Sequence, residues 1–460
     1  MTFLRKILLS LKVFWLFLKR KKTTFLIFLF LITVLSVGIF TLKDDIVRSS
    51  ITEGIVGTYT EKDLPVIVTS LLSQSLFVSG KNGFTKPNLA SSLQTNNDAT
   101  VFTVTLKNNL HWVDGTDLTT QDIEFSIPDV EVKTRDNKTI EFKLADSFSP
   151  FPTLLTKPIF KKNTNIGLGP YRIESIQKDK IFIKKIMLKP VGKDMPDIVI
   201  RFYPNERIAK EALRLGEVHV LLGVQELEDL QKEKTLNMIS KPNYQQLVTI
   251  FYNTKDPVLS DENLRTALSF QAPSIKGEAE AKSPIPPFSF AFRDDVRDYL
   301  DNYEQARLSF TKVRKTDKIV LTSTNSLKGV GEQVIAAWKK LGVDAVLRVE
   351  SGVPQNFQAL LIAQNIPLDP DQYSLWHSTQ ALTNISKFSS PRVDKDLEDG
   401  RKIIDPEVRK QKYQDFQKVL LDHPPATFLY FPKYNIVYRK KVEGMLTKII
   451  KLQLPQFFQE

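Results

Sequence analysis

The chain has 460 residues, with 64 Lys plus Arg against 52 Asp plus Glu, 42% hydrophobic residues and no cysteine. This is ordinary globular composition at a length where more than one lobe is expected, and it excludes low-complexity filaments and disordered tails. The missing thiols exclude a disulfide framework, a thiolate metal or iron–sulfur site, a cysteine nucleophile and a cysteine-borne lipid anchor.

The formal charge of +12 invites a nucleic-acid reading until its distribution is followed. Arg5, Lys6, Lys12, Lys19, Arg20, Lys21 and Lys22 precede the first acid, and they leave the rest of the chain nearly balanced. Residues 7–18, ILLSLKVFWLFL, are apolar around Lys12 and too short to cross a bilayer, which predicts an interfacial helix. Residues 23–42, TTFLIFLFLITVLSVGIFTL, run without a charge at a length that matches a hydrocarbon core of about 30 Å. The run is longer than the apolar part of a secretory signal and no small-x-small site follows Gly38, so the expectation is an uncleaved single-pass anchor. Lysines and arginines before the span put residues 1–22 in the cytoplasm, and everything from about Lys43 onward is expected outside, extracellular or periplasmic.

Beyond the anchor, the alternating runs 101–107, 139–144, 181–188 and 197–203 predict strands. Residues 205–215 place Ile208, Ala209, Ala212 and Leu213 on one helical face and stop at Gly216, a C-terminal cap. A strand at 318–324, a helix over 326–342 carrying Val330, Val334, Ile335, Trp338 and Leu341, and a strand at 343–350 predict a right-handed βαβ unit. The proline-rich stretch 271–292 predicts a long linker or surface loop. Asp114-Gly115 predicts a turn after a core Trp112, and Thr119 with Asp122 a capped helix start.

Six runs in order, VGTYTEKDLP (56–65), LHWVDGTDLTTQDIEFS (110–126), GLGPYRI (167–173), LRLGEVHVL (213–221), FYNTKDPVLSDENLRTALSF (251–270) and IPLDPDQYSLWHS (366–378), carry a resemblance over about residues 50–450. The chain resembles the extracellular solute-binding proteins, family 5, of the oligopeptide, dipeptide and nickel class that feed ABC importers. The resemblance implies an α/β, two-lobed fold of the periplasmic-binding-protein type II, here on a single N-terminal transmembrane helix. Lobe I would hold 43–250 with 433–460 and lobe II 251–432, closing on a small, peptide-like ligand. It further implies delivery to ABC permease subunits, a monomer, no cofactor, no nucleic acid and no enzymatic activity. The rival reading is a tethered sensor or scaffold domain that kept the fold and lost transport. Two departures motivate it: lobe I is short between Asp122 and residue 139, and Gln364-Asn365-Ile366-Pro367 stands where peptide-binding members carry an amine-gripping carboxylate.

The resemblance sets Thr58 and Tyr59 on one lobe against Asp369, Tyr373, Trp376 and Asn384 on the other as ligand-binding residues. Tyr59 and Trp376 could equally be core, since large aromatics bury about 25 cal/mol per Å² wherever they pack. Asp369 and Asp371 fit a turn better than an acid–base pair. His111, His219, His377 and His423 lie far apart without ligand spacing, which argues against a metal site. No nucleophile elbow, zinc-protease helix or Walker loop occurs.

Overall fold

The computed structural model describes Thr33 and residues 49–80, 82–314 and 317–458. Apart from Thr33, the expected interfacial helix and anchor lie outside the described residues. Among the described residues no helix is long and apolar enough to cross a membrane. The chain divides after Ser50 into two compact units, and the architecture below is that of the second, Ile51–Glu460.

Two sheets, each with its own core, make this unit a two-lobed α/β structure. The first runs in the order Leu236–Pro242, Lys433–Arg439, Val220–Val224, Ser50–Val56, Asp197–Tyr203, Phe182–Pro190, Tyr171–Asp179. Ser50–Val56 and Val220–Val224 are parallel, with Glu53 opposite Val220. The helix Glu206–Leu215 covers this sheet because both ends are specified locally. Asn205 accepts from the Ile208 N–H at 3.0 Å, and Gly216 takes φ 82° to close the last turn. Ala209, Ala212 and Leu213 bury as their spacing predicts, whereas Ile208 is 37% exposed. It stands at the margin of a stripe whose centre the other three define.

The second sheet runs Ala279–Glu280, Ala426–Phe431, Gln246–Tyr252, Ala359–Asn365, Ile319–Thr324, Ala345–Glu350. Its βαβ unit is the one read from the sequence: Ile319 pairs with Ala345 in parallel, and the helix Lys328–Lys340 lies between them in the chain. Trp338 is fully buried and its indole N–H donates to the Leu268 carbonyl at 3.0 Å, which satisfies the one polar atom a buried indole brings.

A smaller sheet, Ala90–Thr95, Val101–Leu106, Thr139–Leu144 and Val130–Thr134, packs its own core around Trp112, Phe102, Phe142 and Phe151. Beside it stands the hairpin Phe77–Ser79 and Thr85–Pro87. The helix start at Thr119 is a single 3₁₀ turn, Thr120–Asp122, with the Asp122 carboxylate accepting from the Thr119 N–H at 2.9 Å.

The proline-rich stretch is irregular, as expected, except at Gln271, which ends a helix, and at Ala279–Glu280, but it is not a surface loop. Ser283, Ile285 and Ala291 are fully buried. Irregular backbone can be buried only where its polar groups find partners, and the helix Pro406–Asp422 supplies them. Gln417 donates to the Ala291 carbonyl at 2.7 Å and accepts from the Ser283 hydroxyl at 3.0 Å.

One buried acid sets a pH dependence. Glu53, in the strand Ser50–Val56, is fully buried; one carboxylate oxygen accepts from the Gln453 amide at 2.6 Å and the other has no partner. Burial pushes its pKa up from 4.5 to about 7, with the Gln453 hydrogen bond pulling the other way. The folded chain then keeps a proton that the unfolded chain releases above about pH 4.5. Stability from this group is complete below that pH and is lost as pH rises through about 7, on the order of 3 kcal/mol in all. Glu53→Gln should flatten that decline in urea midpoints measured from about pH 5 to 8, and an unchanged slope would exclude Glu53 as its source.

Candidate functional site

Two neighbouring strand pairs carry the chain from one sheet to the other. Leu236–Pro242 pairs with Lys433–Arg439 in the first sheet, Gln246–Tyr252 with Ala426–Phe431 in the second. Between the ladders lie residues 243–245 on one side and Pro432 on the other, joined by the Asn243 N–H donating to the Pro432 carbonyl at 2.8 Å. Pro432 has no N–H to give back, so the ladder is interrupted where the lobes meet.

Register shows what faces this junction. In the first sheet, Asn435, early in its strand, opposes Val224, late in its own, and the parallel neighbour Ser50–Val56 ends at the same edge. Gly57 donates to the Tyr203 carbonyl at 2.8 Å, and the chain turns out through Thr58, exposed, and Tyr59, half-buried. Tyr59 packs on Phe202 with ring centroids 5.0 Å apart, and its own carbonyl accepts from the Ile183 N–H at 2.9 Å. Tyr434 belongs to the same edge; burial, with the Glu53 and Tyr59 side chains nearby, pushes its hydroxyl well above the ordinary tyrosine range. In the second sheet, Gln246 opposes Asn365 and the Ile366 N–H donates to the Gln245 carbonyl at 2.9 Å, so the segment after Asn365 leaves beside the junction. Gln364 is half-buried and Asn365 exposed, a neutral amide pair at that exit.

The Asp369–Asn384 segment is held by side chains rather than by a sheet. Asp369 accepts from the Asp371 N–H at 2.9 Å and Asp371 from the Tyr373 N–H at 3.2 Å, two successive turns of the kind the D-P-D run predicts. Arg409 grips Asp369 with two parallel bonds of 2.9 and 2.6 Å, both side chains under a tenth exposed. Burial opposes the Arg409 charge, yet Asp369 and Tyr413 outweigh it and raise the pKa. Burial raises the Asp371 pKa as well, against the pull of Arg401, whose Nη2 lies 3.1 Å from its carboxylate. Tyr373, half-buried, stacks on His377 at 4.1 Å and lies under the Arg401 guanidinium at 4.3 Å.

Trp376 is 2% exposed and packs between Phe251 and Phe428 in the second core, its indole N–H donating to Gln372 at 2.9 Å. Asn384 is 3% exposed and its amide donates to the carbonyls of Trp376, His377 and Phe388. Of the six residues the resemblance singles out, Thr58, Tyr59 and Tyr373 keep accessible surface; Asp369, Trp376 and Asn384 are enclosed by their own lobe. Sequence reasoning missed Arg401, Arg409, Gln372 and Tyr434. A lone arginine thirty or forty residues from its acid carries no local signal. Among the described residues no three His, Asp or Glu side chains gather as a metal site.

A family model described as bacterial extracellular solute-binding proteins, family 5 Middle, matches residues 127–384. The chain is 21% identical over 425 residues to the probable D,D-dipeptide-binding periplasmic protein DdpA of Escherichia coli K12, spanning 78% of this chain and 81% of that protein. It is 22% identical to the oligopeptide-binding protein AppA of Bacillus subtilis, over 84% of this chain and 85% of the relative. Among solved structures, the ABC transporter substrate-binding protein CtaP of Listeria monocytogenes superposes with a TM-score of 0.71 at 20% identity, covering 85% of this chain and 94% of that one. NikZ from Campylobacter jejuni, in complex with Ni(L-His), gives 0.68 at 20%, covering 86% and 95%.

Trp376→Ala should destabilise the protein by about 3–5 kcal/mol, the cost of emptying a core site of this size. Chemical denaturation reads it directly, and a loss below about 1 kcal/mol would show that the indole does little in that core.

Proposed function

The chain belongs to the bacterial extracellular solute-binding proteins of family 5, and from that premise we propose that it captures a small, peptide-like solute between its lobes and delivers it to an ABC permease. In this reading it is a binding module, not an enzyme, and works as a monomer. Residues 23–42 are a single-pass membrane anchor with residues 1–22 in the cytoplasm. Lobe I comprises 43–250 with 433–460, and lobe II 251–432. The observation that carries the reading is the junction: two open α/β sheets meet through interrupted strand pairs, with Gly57–Tyr59 on one facing edge and Asn365–Leu368 on the other. Ligands of α/β proteins bind beyond strand ends and between lobes.

Thr58, Tyr59 and Tyr373 are the side chains we assign to ligand contact. Asp369, Trp376 and Asn384 act from behind, holding the lobe II rim in shape. With Gln364 and Asn365 at the exit and aromatic rings around it, the pocket is amphipathic and weakly charged. The neutrality of these two side chains is also the observation that favours the sensor or scaffold reading, because neither Gln364 nor Asn365 offers a free peptide amine a carboxylate.

Peptide, metal-chelate and sugar pools screened by thermal unfolding separate the two. A ligand at 100 times its Kd should add about 2.7 kcal/mol of stability, with peptides the active pool; no shift from any pool favours the sensor. Protease added to intact cells or spheroplasts should degrade the ectodomain and spare the N-terminus. A mature chain beginning near residue 43 would sink the anchor.

A further inference from the structure

Besides the strand junction, the small four-stranded sheet and its hairpin touch the second lobe at two places. At the first, the turn joining Phe77–Ser79 to Thr85–Pro87 reaches across. The Asn82 carbonyl accepts from the Phe290 N–H at 2.9 Å, and Phe84 stacks on Phe290 with centroids 4.2 Å apart and planes 14° from parallel. Gly83, at φ 84°, lies so close that an added Cβ would stand 2.6 Å from the Leu368 carbonyl oxygen. At the second, the Ser149 N–H donates to the Arg401 carbonyl at 2.7 Å and the Phe148 ring lies 5.0 Å from the Arg401 guanidinium.

Both contacts converge on one segment. Leu368 directly precedes Asp369, Arg409 lies 5.7 Å from the Phe290 ring while gripping Asp369, and Arg401 pairs with Asp371.

We propose that Asn82–Phe84 and Phe148–Ser149 form a clasp that holds the two lobes closed by contacts outside the strand ladders, so that Phe84, Gly83 and Arg401 set the open–closed balance without touching ligand. This rests on the reading of the strand junction as a hinge. A clasp intact without ligand lowers the closure cost a ligand must overcome, since a ligand shifts the lobes only by its differential affinity for the closed form.

The chain has no cysteine, so spin labels at Gln94→Cys and Val353→Cys, both exposed, report the separation between the small sheet and the second lobe in the full chain in detergent, without ligand. Phe84→Ala should raise the ratio of open to closed chains about three- to tenfold, the worth of one aromatic pair. Gly83→Ala should do at least as much. Gly115→Ala is the matched control: the same positive φ, 85°, but nothing within 4 Å of the added Cβ. An unchanged distance distribution in Phe84→Ala overturns the clasp, as does a shift in Gly115→Ala equal to that in Gly83→Ala. If Gly83→Ala does not fold, Phe84→Ala decides alone. Because no ligand is present, failure here leaves the solute-binding reading standing.

Discussion

The two sheets are joined by two chain segments that run side by side from one to the other. Regular ladders end at Pro242 opposite Lys433 and resume at Val248 opposite Tyr430. The two sides are unequal in length between those points, and Pro242 and Pro432 donate no hydrogen bond. Such a connection resists translation, because both chains are anchored in sheets, but permits bending where the ladder is absent. Tyr244, packed against Phe288 and Phe431 at 5.0 Å each, anchors one of these segments on the second sheet's core.

The second dependence is the Asp369–Arg409 pair. A buried ion pair is weak support for stability in itself, since desolvating both charges offsets much of their attraction, whereas removing one partner typically destabilises by about 3–5 kcal/mol. What this pair contributes is position. It fixes Asp369, which fixes the turn to Asp371 and Tyr373, which sets where Leu368 and Arg401 present themselves. The Arg409 Nε–H also donates to the Gly400 carbonyl at 2.9 Å, tying the preceding helix, Pro391–Lys402, to the same point.

Local chemistry was legible in the sequence and long-range chemistry was not. The helix after Asn205 is specified by its cap, its stripe and its glycine, all within twelve residues, and the βαβ unit around Trp338 by a change of hydrophobic period. By contrast, residues 271–292 look like a surface loop because prolines forbid regular structure there; whether irregular chain is buried depends on Gln417, more than a hundred residues away. The order of motifs carried the family reading, yet it could not tell a wall from a core. Either of Trp376 and Tyr59 could be core or wall on sequence alone, and burial separates them: Trp376 is enclosed between Phe251 and Phe428, whereas Tyr59 is half-buried.

The edge chemistry and the lobe contacts bear on one another. An ionic anchor, where a site has one, lets a single charge pair draw two lobes together, and such a site can afford to rest open. Here the exit of the strand Ala359–Asn365 offers two neutral amides, Gln364 and Asn365. Hydrogen bonds to neutral groups typically return about 0.5–1.5 kcal/mol each after desolvation, less than charge-assisted ones. A site built from them has little differential affinity with which to move a wide-open equilibrium. In the clasp proposed above, contacts such as Phe84 on Phe290 and Ser149 on Arg401 would supply part of that difference from the protein itself. The proposed weakly charged pocket and the proposed clasp are, on this argument, two halves of one physical solution.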